Sequence, residues 1–91
     1  MDSNTVFAQL KEYWFNNQCD NKFYSILDDK DLSAIEKEVK SLDYIRDTFK
    51  DFAEKNNYNT LEKPIIEIIL NWGILMYLQI KDKLYGNEET T

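Results

Sequence analysis

Histidine is absent from this chain of 91 residues. With it go the commonest general acid or base and every triad that depends on an imidazole. The single cysteine, Cys19, cannot close an internal disulfide, would be an odd remainder in a secreted domain, and leaves no Cys and His set for zinc. As a nucleophile it would need a base from lysine or a carboxylate, and no local signature supplies one. Two glycines and one proline leave few places for tight hairpins and no glycine-rich loop to cradle a phosphate. No enzyme, cofactor or metal site is expected.

Positive charge is also scarce. Seventeen acids face eleven bases, a net charge of −6, which repels phosphate backbones, so direct nucleic-acid binding is not expected. Asp2 precedes a segment already patterned like a helix rather than like a signal sequence. Together with the unpaired cysteine this points to the cytoplasm. Ten lysines to one arginine, with nine isoleucines and nine asparagines, fit an AT-rich coding sequence such as low-GC bacteria and their phages carry.

What the chain does have is material for a core, with 43% hydrophobic residues and thirteen aromatics. Frequent Leu, Glu, Lys and Ala favour an all-α fold. Residues 1–86 read as one helical domain and 87–91 as a frayed tail. A domain of this size buries only about two thirds of its unfolded surface, so association would add stability.

A first helix is expected from Ser3 or Asn4, either of which can cap it, to about Asn17, with Val6, Phe7, Leu10, Tyr13 and Trp14 at three- and four-residue steps. Asn16, Asn17, Asp20 and Asn21 interrupt that pattern, because their side chains compete for backbone hydrogen bonds. Residues 22–27 are too few to settle by periodicity and read as a helical turn. Ser33 with Glu36 forms a capping box that opens a long helix to about Lys55. Its apolar stripe runs Ile35, Val39, Leu42, Ile45 or Arg46, Phe49 and Phe52. After the polar connector Asn56 to Asn59, Thr60 reopens a helix with Pro64 in its first turn, and Gly86 stops it after Tyr85. The expected architecture is a small three-helix bundle, with a possible short extra helix near 22–28 and the long hydrophobic C-terminal helix as spine.

That last helix carries the most informative feature, thirteen residues from Ile68 to Ile80 without a charge. The run alone spans roughly 20 Å, short of the roughly 30 Å hydrocarbon core of a bilayer, so it reads as a buried segment and no membrane span is expected. Lys63, Glu67 and Asn71 form a polar ridge on its first half, and Ile74, Leu75 and Leu78 continue that ridge before Lys81 and Asp82. If the ridge faces solvent, those three residues form an apolar patch for a protein partner or a second copy. If it does not, Glu67 and Asn71 are buried polar residues that fix a register. Gly73 costs about 1 kcal/mol against alanine in a helix interior. It suggests close approach of another helix over Ile66, Leu70, Gly73 and Tyr77.

Two other features invite functional readings. Asp28, Asp29 and Asp31 match no EF-hand register, since the glycine and glutamate positions are wrong. They read as helix-start chemistry or as an acidic patch that mimics phosphates toward a basic partner. Tyr13, Trp14 and Phe15 cover more than half a helix circumference, so one ring must face outward. The function these features favour is a small acidic protein-binding regulator or inhibitor, of the immunity or anti-defence kind, acting by occupancy. A structural subunit of a larger helical assembly and an acidic DNA mimic are the alternatives.

Overall fold

A computed structural model of the chain describes residues 2–86, which form four α-helices and no strand. They are α1 (Ser3–Asn16), α2 (Cys19–Leu27), α3 (Ala34–Lys55) and α4 (Lys63–Tyr85). The fold is all-α, as composition implied. The expected tail at 87–91 lies outside the described residues.

Each boundary has a local cause. The Asp2 carboxylate, rather than Ser3 or Asn4, caps α1 by accepting the Asn4 N–H at 3.2 Å. Between α1 and α2 the chain needs only Asn17 and Gln18, because Gln18 adopts left-handed angles (φ 54°) that turn it sharply. The short piece near 22–28 is therefore a true helix of nine residues that starts three positions early, at Cys19. Ser33 and Glu36 make the reciprocal capping box at the start of α3.

At the other end of α3, Asn57 takes left-handed angles (φ 55°), the Tyr58 N–H reaches Ala53 O, and the Asn57 N–H reaches Glu54 O. This double closure satisfies the last carbonyls. Asn59 then holds the Leu61 N–H, so that α4 begins after Glu62, later than Thr60, with Pro64 in the first turn. α4 ends at Tyr85 with Gly86 as its C-cap, and the glycine keeps right-handed helical angles there (φ −59°).

The core is built from one stripe of each helix. Val6, Leu10 and Trp14 of α1 and Cys19, Phe23 and Leu27 of α2 repeat every four residues and are all buried. Edge-on aromatic contacts link Trp14 to Phe23, Tyr44 and Trp72, and Phe7 to Trp72. α2 packs most extensively on α3, while α1 and α3 both pack on α4.

The buried face of α3 differs from the expected one. It is centred on Ser41, Ile45, Thr48 and Phe52, with Phe49 and Ala53 beside them, whereas Ile35, Val39 and Leu42 are exposed. Ser41 and Thr48 can be buried because their hydroxyls donate to carbonyls of their own helix, Lys37 O and Glu38 O for one, Tyr44 O and Ile45 O for the other. The helix is thus rotated away from its most apolar side. α4 packs against all three other helices. It buries Ile65, Ile68, Trp72 and Ile80 but leaves most of its uncharged run in contact with solvent.

Candidate functional site

An apolar groove runs between α3 and α4, with a volume of about 420 Å³. Leu42, Ile45 and Phe49 line its α3 side, and Ile69, Leu70, Gly73, Ile74, Tyr77 and Leu78 its α4 side; Arg46 is the charged residue on its wall. Leu70, Ile74 and Leu78 are 59%, 59% and 57% exposed, and Leu75 is also exposed. One turn and two turns before Leu42, Val39 and Ile35 extend the apolar ridge along α3, at 53% and 72% exposure. Contiguous exposed apolar surface of this kind marks interaction sites, whereas scattered single residues do not.

The structure brings together some of the expected site residues. Ile74, Leu75 and Leu78 are uncovered, as the solvent-facing reading of the ridge requires, and neither helix α1 nor any other described element closes over them. Glu67 and Asn71 are exposed on the same helix, so they are not buried polar residues within this chain. Gly73 lines the groove, and an added Cβ would find nothing within 4 Å. The close helix approach that would call for a glycine is therefore not made among the described residues. Ile35, Val39 and Leu42, expected in the core from the sequence pattern, are exposed instead, and Leu42 lines the groove. The signal that could have found them is the presence of Ser41 and Thr48, whose ability to bond back to their own helix makes them buriable.

Of the acids Asp28, Asp29 and Asp31, the first two have structural partners, and Asp31 takes part through its backbone N–H. Asp28 pairs with Lys83 of α4 at 3.0 Å, and Asp29 accepts the Asp31 N–H at 2.9 Å in the turn before α3. Among the described residues no group of three or more His, Cys, Asp or Glu side chains is placed to hold a metal ion. Of the aromatic trio, Trp14 is buried, Tyr13 packs edge-on against Phe52, and Phe15 is the ring that faces outward.

A polar seam on the other side of α3 contrasts with the groove. The Tyr13 hydroxyl donates to the Asp51 carboxylate, Lys55 holds the same carboxylate at 3.2 Å, and Tyr58 donates to the Gln9 amide oxygen. The hydrogen bond from Tyr13, followed by that from Lys55, lowers the Asp51 pKa below the ordinary carboxylate value. Burial, then the bond to Asp51, raises the Tyr13 phenol above its ordinary value. Burial and then the Cys19 contact raise Tyr44 likewise. The Tyr13–Asp51 bond ties α1 to α3, the Tyr58–Gln9 bond ties α1 to the connector after α3, and Cys19 of α2 is buried.

Taken whole, α4 is 23 residues long and is, by length and composition alone, apolar enough to cross a membrane. The estimate from the uncharged run does not carry over to the full helix. Comparison of the chain with protein-family models, with curated proteins and with solved structures finds no match.

Proposed function

We propose that this chain is a small acidic protein-binding regulator that acts by occupying a partner, and that the α3–α4 face is its binding surface. The observation that carries the reading is the apolar groove flanked by Leu42, Leu70, Ile74 and Leu78, left open by the molecule's own helices. An apolar groove edged by helix ridges is the shape into which an amphipathic helix fits through its own apolar stripe. The assignment to a regulator or inhibitor of the immunity or anti-defence kind draws on small size, net negative charge and the lack of histidine.

A structural subunit of a larger helical assembly would use the same face, and it differs in being unstable or aggregated alone. The DNA-mimic reading has less support, because Asp28 and Asp29 already have partners. The apolarity of α4 favours one further alternative, attachment to a membrane; liposome flotation measures it directly.

The test is affinity capture from the native organism with the wild-type chain and with a Leu70→Ser/Ile74→Ser/Leu78→Ser variant. The wild type retains a partner that the variant loses while keeping its helicity. Equal capture by both would remove the α3–α4 face from the reading.

A further inference from the structure

We propose that the polypeptide seated on the α3–α4 face is a second copy of this chain, with the two α4 helices antiparallel about a two-fold axis at Ile74. The proposal rests on the reading that this face binds protein, and it names the occupant.

Glu67, Ile74 and Lys81 are spaced seven residues apart. Each such step returns to nearly the same side of a helix, with a drift of about 20°. Glu67 is exposed and has no ion pair among the described residues. The Lys81 ammonium rests over the rings of Tyr77 and Tyr85, 5.8 Å and 4.6 Å from their centroids, with no carboxylate beside it among the described residues. One negative and one positive group thus stand at equal distances on either side of an uncharged, exposed centre.

A two-fold axis through Ile74 exchanges those positions. Glu67 then faces the partner's Lys81, and Lys81 faces the partner's Glu67, so each attraction occurs twice. Leu70 meets the partner's Leu78 by the same operation, since each is four residues from Ile74. A parallel pairing would set Glu67 against its own copy and Lys81 against its own copy, which is repulsive. Gly73, with open space where a Cβ would stand, lets the second helix settle deep in the groove. A standard interface takes about 800 Å² from each copy, roughly an eighth of the 6238 Å² that one copy exposes.

Sedimentation equilibrium of the full chain and its variants tests this arrangement. The wild type associates to a dimer at concentrations up to about 0.1 mM. Glu67→Lys or Lys81→Glu alone weakens association about tenfold, and the double variant returns to within about threefold of wild type. Ile74→Cys gives a covalent dimer on mild oxidation, because the two thiols meet at the axis. Leu70→Cys gives none, since its copies lie about 12 Å apart along the helices. Glu67, Leu70, Ile74 and Leu78 are exposed and Lys81 is half-buried, and unchanged far-ultraviolet circular dichroism shows that the fold persists.

A wild type that stays monomeric throughout, a double variant no tighter than the singles, or equal cross-linking at positions 70 and 74 overturns the proposal. A monomer whose captured partner is lost on Leu70→Ser/Ile74→Ser/Leu78→Ser overturns it while leaving the reading of the face intact. A dimer that survives those three substitutions places association elsewhere and overturns it as well.

Discussion

Helix α3 meets α1 and α4 in opposite ways. Toward α1 it is tied by the Tyr13–Asp51–Lys55 set and sealed by Phe52 against the rings of Tyr13 and Tyr58. Toward α4 it leaves Leu42 beside Leu70, Ile74 and Leu78 in an open apolar groove. A small domain has too few residues to cover every face, so its apolar content divides between what closes the fold and what is left for another molecule. The polar seam belongs to folding. The exposed rim of the groove, Leu70, Ile74 and Leu78, contributes little to the fold of a single copy, while Ile45 and Phe49 at its base belong to the core, and the exposed rim is the basis for assigning the groove to binding.

Substitutions can break that contrast, and the largest effect is expected in the closed part. Trp14→Ala empties the centre of the aromatic cluster and should cost about 3–5 kcal/mol, a large share of a small domain's stability. Urea unfolding measures it, and a loss below about 1 kcal/mol would show that the core is not organised around Trp14. Gly73→Ala should raise the stability of the isolated chain by about 0.5–1 kcal/mol, because alanine is the better helix former and the space is empty. A destabilised Gly73→Ala chain at a concentration where it is monomeric would mean that the groove is narrower than described.

Ile74→Ser is expected to change monomer stability by no more than about 0.5 kcal/mol, since the side chain is mostly exposed. A cost comparable to Trp14→Ala would make the groove part of the core and end the contrast. The smallest effect concerns pH. A lowered Asp51 pKa means that its contribution is present above the unfolded aspartate value of about 3.9 and is lost as pH falls through the folded value. Asp51→Asn should therefore flatten the acid side of the stability profile; an unchanged acid limb would show that the seam is not held by that carboxylate.

Much of the fold is legible in the sequence. The capping box at Ser33 and Glu36, Pro64 in the first turn of α4, and the four-residue repeats of α1 each follow from a local rule. The turn at Gln18 was not legible, because a glutamine with left-handed angles has no residue signature, and the start of α2 was missed with it. The face of α3 was misread for a different reason. Periodicity scores Ser41 and Thr48 as polar, and tertiary packing buries them through bonds to their own helix while turning Ile35 and Val39 outward. On α4 the ridge of Ile74, Leu75 and Leu78 was visible as a pattern. Its exposure could only come from knowing where the other three helices lie.

Whether that ridge is covered when the protein is assembled is reported directly by the reactivity of a thiol placed there. In an Ile74→Cys chain, kept reduced, the native Cys19 is buried and the new thiol is the accessible one. Its alkylation rate is expected to fall steeply as protein concentration rises or as extract of the native organism is added. A rate that stays at the value for a free exposed thiol under every one of these conditions would contradict it.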